Sequence, residues 1–249
     1  MLMIRGESGV YGFLSHLDSR PAATLLLQSI TTEARQQMSF RQLSGALAMP
    51  LHFETGISQS MAWTLLSKYI IGCPDTTPRV GWQIFPYLNV TNDQSLAREN
   101  SQAAINTIQP SLTEANRTVM FSWETPGQNV SANSSYVTSV ANETATPAFV
   151  AWISQLNVTY TPLEITGEGM GQTTQPGGNV FEGIYNPVVN DTMFVGLTDT
   201  DLYVTPYNLS LLNVSLSKSN SNQFLTMIGP SSSMGSLSSR LSVLTMSAR

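Results

Sequence analysis

The spacing of apolar residues changes once along the chain. In "DSRPAATLLLQSITTEARQQ" they recur at Leu26, Ile30 and Ala34, with Leu27 beside them, which is the stripe of an amphipathic helix. Asp18 or Ser19 suits its N-cap, and Pro21 suits its first turn. "SQSMAWTLLSKYI" places Ala62, Leu65, Leu66, Tyr69 and Ile70 at helical spacing, although a strand also fits that segment. From about Pro78 the period becomes two. "RVGWQIF" alternates Val80, Trp82 and Ile84 against Gly81 and Gln83; "RTVMFSWE" puts Val119, Phe121 and Trp123 on one face; "QLNVTYT" alternates Leu156, Val158 and Tyr160. "SSYVTSV", "TMFVGL", "DLYVTP", "NLSLLNVSLS", "FLTMIG" and "LSVLTM" continue the series, and the doubled Leu211-Leu212 has the form of a β-bulge.

Gly, Pro and Asn clusters separate these runs, as in "CPDTTP", "TPGQNVSANSS" and "GEGMGQTTQPGGN". About eight or nine short strands with turns between them predict a mainly β protein of the sandwich type rather than a βαβ fold. Spacing is uneven, with long loops expected around residues 92–116 and 164–180, so Greek-key or jelly-roll wiring is favoured over a meander. The expected division is an N-terminal arm with helical segments (1–50), a sandwich (51–230) and a C-terminal arm (231–249).

Composition narrows the reading. Charged residues are only 11% of the 249, and lysine occurs twice, at Lys68 and Lys218. Polar surface must come from Ser, Thr, Asn and Gln, which suits large contacts with other protein. A net charge of −5 with scattered basic residues argues against a nucleic-acid-binding surface. No apolar run reaches the ~18 residues of a membrane span, and "MLMIRGESGVYG" carries acid and glycine too early for a signal peptide. Cys73 is alone, so no intrachain disulfide forms.

Candidate chemistry is sparse. His16 and His52 are the two histidines, too few for a His/Cys metal set. "GESG" (Gly6 to Gly9) is one residue short of a nucleophile elbow and follows no strand. "TDTD" (Thr198 to Asp201), near Asp191, could hold calcium or be an Asx-turn. Glu164 and Glu168 could work as acid and base or be solvated loop charge. No enzymatic site and no cofactor is expected. Trp63, Trp82, Trp123 and Trp152 could form a sugar-stacking platform or pack in a core. Asn-x-Ser/Thr occurs at Asn89, Asn116, Asn129, Asn133, Asn142, Asn157, Asn190, Asn208 and Asn213. These read either as glycan acceptors or as the polar-apolar alternation of strands rich in Asn, Ser and Thr.

One segment carries a resemblance. Ser39, Phe40, Arg41, Gln42 and Leu43 in "MSFRQLSGAL" resemble the S-[FL]-R-Q/A-L segment that leads into the barrel of picorna-like virus capsid proteins, notably those of arthropods. "RVGWQIFPYLNV" is similar to their Trp-containing strands. The usual Leu-Lys-Arg that follows is replaced by Ser44, Gly45 and Ala46. The resemblance implies an eight-stranded jelly roll with extended arms. It implies a virion subunit that assembles in the host cytoplasm with copies of itself and sibling capsid proteins into an icosahedral shell. Encapsidated RNA would be contacted only indirectly, and a host receptor would be a further partner. Phe40, Arg41, Gln42 and Leu43, with Leu237, Leu241 and Leu244 in the C-terminal arm, are the interface candidates on that reading. The alternative is a secreted or cell-surface β-sandwich glycoprotein or carbohydrate-binding module.

Overall fold

The computed structural model describes residues 2–14, 17–43, 48–49, 51–78, 81–92, 115–131, 134–140, 146–179, 183, 188, 191–199, 201, 224–228 and 245–246. It is mainly β, with three helices among the described residues and antiparallel sheets. The helices come first: α1 (Leu2–Phe13), α2 (Arg20–Leu43) and α3 (Gln59–Leu66), the last running into a 3-10 turn at Ser67–Tyr69. The expected α2 forms and extends past the periodic stripe. The Ser19 hydroxyl accepts from the Ala22 N–H at 3.4 Å, and Arg41 in the last turn complements the helix dipole. The second segment is helical rather than extended, because Ser58 caps it: its hydroxyl accepts from the Met61 N–H at 3.3 Å.

Twelve strands follow among the described residues: β1 (Leu88–Val90), β2 (Thr118–Trp123), β3 (Asn129–Val130), β4 (Tyr136–Val137), β5 (Phe149–Ser154), β6 (Asn157–Pro162), β7 (Glu164–Gly167), β8 (Met170–Thr174), β9 (Asp191–Thr192), β10 (Phe194–Thr198), β11 (Phe224–Ile228) and β12 (Thr245–Met246). One four-stranded sheet runs β1-β2-β8-β7 and the other runs β11-β10-β5-β6. Two smaller pairs, β9 with β12 and β3 with β4, complete the strand pairing.

The two large sheets share a core. Leu88, Val90, Val119 and Phe121 from the first pack with Val150, Trp152, Val195 and Leu197 from the second, closed by Val188 and Met193. Phe121 meets Trp152 edge to face at 6.4 Å. The buried indole N–H of Trp152 donates to the Thr161 hydroxyl at 2.8 Å, and that hydroxyl also accepts from Thr173 at 2.8 Å. A polar link thus joins the two sheets at the edge of the apolar core, with the buried indole N–H satisfied.

The second sheet is covered on its other face as well. Ala151, Ile153 and Phe194 pack against Ile57, Met61 and Leu65 of the α3 region, with Phe85. The molecule is therefore layered: sheet, sheet, helices. β2 is one-sided, with Val119 and Phe121 inward and Thr118 and Met120 outward. β10 is buried at every position, which is what two covers require.

Backbone polar groups tie the helical layer down. Thr64 accepts from the Phe85 N–H at 2.9 Å, and Ser60 accepts from the Gln83 N–H at 3.1 Å. Gln155, at the β5–β6 turn, has left-handed backbone (φ 54) and is fully buried. Its side-chain oxygen accepts from the N–H groups of His52 and Phe53, and its own N–H donates to Thr55 at 2.7 Å. The turn between two strands thereby fixes the segment that enters α3.

"GESG" finds its explanation here. It lies in α1, a helix that tolerates three glycines because it docks closely on the residues before α3. The Ser8 carbonyl accepts from the Ile57 N–H at 2.9 Å, and a Cβ at Gly12 would clash with the Ile57 carbonyl. At Gly6 there is open space. Gly12→Ala is therefore expected to destabilise the chain by about 2–3 kcal/mol through a forced shift of α1. Gly6→Ala is expected to stabilise it by about 0.5–1 kcal/mol. Denaturant midpoints of the two variants, read against the parent, check both signs.

Candidate functional site

The helical layer brings together acidic groups that the sequence scatters. Glu7 stands on the inner part of α1, Glu33 on α2, and Glu54 three residues ahead of Ile57. Glu7 is 1% exposed, and neither of its carboxylate oxygens has a hydrogen-bond donor. Burial first, then the negative charges of Glu54 and Glu33, push its pKa up to about 7 from the usual 4.5. Tyr11, one helical turn further along α1, is pushed up to about 12, again chiefly by burial and then by Glu54 and Glu7. Glu33 Oε1 accepts from the Ser29 hydroxyl at 2.9 Å, so that side chain is oriented within α2.

Such a group is a neutral acid where an ordinary glutamate is ionised. It can hold or release one proton near neutral pH at the junction of α1, α2 and the segment entering α3. Among the described residues no group of three or more His, Cys, Asp or Glu is placed to hold a metal ion. Glu54 and Glu33 act on Glu7 through charge.

The site reads poorly from sequence. Glu7 was visible only as the acid in "GESG", and no local signal pairs it with Glu33, 26 residues on, or with Glu54. The other candidates disperse. Phe40 and Leu43 are exposed at the end of α2 (56% and 83%), Gln42 is exposed and Arg41 is half-buried. Leu237, Leu241 and Leu244 lie outside the described residues, as does His16. Glu164 is exposed and accepts from Gln172 Nε2 at 2.8 Å, a cross-strand pair within the β7–β8 hairpin. Of "TDTD", Thr198 ends β10 and Asp199 has a buried oxygen without a donor. The tryptophans split: Trp152 is core and Trp123 packs against it, while Trp63 meets Trp82 at 6.1 Å and Tyr136 at 5.4 Å in an aromatic cluster beside α3.

The raised pKa of Glu7 has a signed consequence. Between pH 4.5 and about 7 the unfolded chain has released this proton and the folded chain keeps it, so stability falls as pH rises through that window. The loss is up to about 1.4 kcal/mol per pH unit and levels off above pH 7. Glu7→Gln, which keeps the shape and removes the ionisation, is expected to flatten that slope and to be more stable than the parent at pH 8. Thermal melts of both proteins at pH 5, 6, 7 and 8 test it, and parallel curves would refute the assignment.

No protein-family model matches the chain. It is similar to Protein rds1 of the fission yeast Schizosaccharomyces pombe, at 48% identity over 221 residues, which are 83% of this chain and 54% of that protein. The chain thus spans about half the length of the curated relative it matches. That similarity overturns the viral reading. A relative this close from a cellular organism leaves no ground for a picorna-like capsid subunit, for sibling capsid proteins, self-assembled shells, RNA or a host receptor as partners, or for a virion location. The motif misled for a physical reason: Ser39 to Leu43 form the last turn of α2, where an amphipathic helix writes the same letters as a capsid arm. Nor does the relative's name carry any role that favours a secreted or cell-surface glycoprotein or a carbohydrate-binding module.

Proposed function

We propose that the chain is a non-enzymatic docking module: a β-sandwich carrying a helical hairpin whose open side is covered by further helices of a longer polypeptide. One observation carries this reading. α2 is 24 residues long and Ile30 is its one buried residue among those described. At 1.5 Å per residue α2 spans roughly 36 Å, while the 12 residues of α1 span roughly 18 Å, so α1 can cover about half of it. Leu25, Leu27, Phe40 and Leu43 remain 46–83% exposed. At 100° per residue, Leu25, Phe40 and Leu43 fall within about 60° of one another, away from Ile30. An apolar flank of this kind on a long helix marks a surface that is covered by something else.

The choice of cover rests on length. The relative has nearly as many residues outside the matched region as inside it. Cover from the same polypeptide needs no separate partner and loses less freedom on docking than a second molecule would.

The sandwich supports a finer reading. Numbering the strands of the two large sheets from one to eight in chain order, first-second-sixth-fifth faces fourth-third-seventh-eighth. That order matches the immunoglobulin-type Greek key better than the jelly roll. We keep the division near residue 50, with helices before it, the sandwich over 51–230, and 231–249 as an arm. The α3 segment then belongs to the sandwich as its helical lid.

Phe40→Asp with Leu43→Asp tests the docking. In the full natural polypeptide the double variant is expected to lose several degrees of Tm and the hydrogen-exchange protection of residues 20–43. In the 249-residue chain alone the same change, on exposed positions, is expected to stay within about 0.5 kcal/mol. Equal, small effects in both contexts would sink the proposal.

A further inference from the structure

Nine of the sixteen asparagines in the chain open an Asn-x-Ser/Thr triplet. Ser and Thr fill 57 of 249 positions, so composition alone would supply roughly four such triplets. Strand alternation predicts where an innocent excess should lie: in the middle of strands, side chain half-buried. Asn89 fits that description, since it is the central residue of β1, half-buried and opposite Ser122 of β2.

Three others do not fit it. Asn116 lies in the turn before β2, exposed, with left-handed backbone (φ 66), and its Thr118 is exposed too. Asn129 is exposed and opens β3, with Ser131 two residues on at φ 69, so the chain bends within the triplet. Asn157 is exposed and opens β6 directly after the tight turn at Gln155. Its Oδ1 accepts from the Val158 N–H at 2.9 Å, which orients the side chain and leaves Nδ2 out of that bond. The remaining triplets, at Asn133, Asn142, Asn190, Asn208 and Asn213, fall outside the described residues.

We propose that Asn116, Asn129 and Asn157 are acceptors of N-linked glycans and that Asn89 is not. In the transfer, Asn Nδ2 forms a bond to the anomeric carbon of an oligosaccharide carried on a lipid pyrophosphate. The bond from that carbon to the pyrophosphate oxygen breaks, the lipid pyrophosphate leaves with the electron pair, and Nδ2 gives up one proton. The hydroxyl two residues on is what the triplet supplies to the acceptor. A glycan needs an accessible side chain and room for a bulky polar group: all three asparagines are exposed, with a left-handed residue inside the triplet at Asn116 and Ser131 and two residues ahead of it at Gln155. None of the three is part of α2, so this inference stands independently of the docking reading.

The test uses the protein isolated from its own cells. Treatment with a peptide N-glycosidase in ¹⁸O water should increase its mobility on a denaturing gel and convert Asn116, Asn129 and Asn157 to labelled Asp, with Asn89 unlabelled. Thr118→Ala, Ser131→Ala and Thr159→Ala, which keep each asparagine, should each abolish one label and part of the mobility shift. Unlabelled peptides across all three positions would overturn the proposal, and so would label at Asn89 with none at the other three.

Discussion

The double covering of the second sheet is the constraint on which the rest of the molecule depends. β5 and β10 bury side chains on both faces: Trp152, Val195 and Leu197 toward the first sheet, Ala151, Ile153 and Phe194 toward the helices. A strand pair in this position cannot tolerate a register slip, because each face has its own complement to fill. The five-residue register of β10 on β5, from Phe194–Ile153 to Thr198–Phe149, is the result. It also dictates what surrounds it. The helical layer must lie flat on the sheet, α1 must come close enough to reach Ile57, and the segment entering α3 must be held by Gln155. Glu7 is buried as a by-product of that close approach.

What was legible in the sequence follows the same division. Strands with one wet face announced themselves by alternation, β2 in "RTVMFSWE" and β6 in "QLNVTYT", while β10 in "TMFVGL" stood out only as a short apolar run. β5 did not, because "FVAWIS" is buried on both sides and a continuous apolar run has no period to read. The β7–β8 hairpin was hidden for the opposite reason. "EITGEGMGQTT" has too few apolar residues to alternate, and it pairs through backbone and polar side chains around Gly169 at φ 63. "RVGWQIF" has the right period but contributes only the bridge from Ile84 to Thr138 among its described residues. Its neighbours are drawn instead to Ser60 and Thr64 of α3. "DLYVTP" and "NLSLLNVSLS" lie outside the described residues.

The site was less legible than the fold, since its members are joined only by tertiary packing. α1 itself is a helix that propensity argues against, with Gly6, Gly9 and Gly12 in 12 residues. The glycines make sense only once the partner backbone at Ile57 is in place, and that contact spans some 45 residues of chain. A glutamate beside such glycines is then buried whether or not it has a partner. No reading by motif could have distinguished Glu7 from an exposed acid.

Low charge and an apolar, arginine-bearing helix end suit a surface that other protein covers, and the capsid resemblance supplies the wrong coverer. Leu25, Phe40 and Leu43 are apolar and open, and a chain with 11% charged residues has little to keep such a flank in water. What composition cannot specify is whose surface does the covering, because burial is non-directional and the same flank is satisfied by a shell neighbour or by another part of one polypeptide. The docking proposal takes its choice from length, since the chain spans about half the length of the relative it matches. On that proposal the cover is intramolecular, and tethering lowers the freedom lost on docking relative to a second molecule. α2 has twice the residues of α1, so α1 alone cannot run along its whole length.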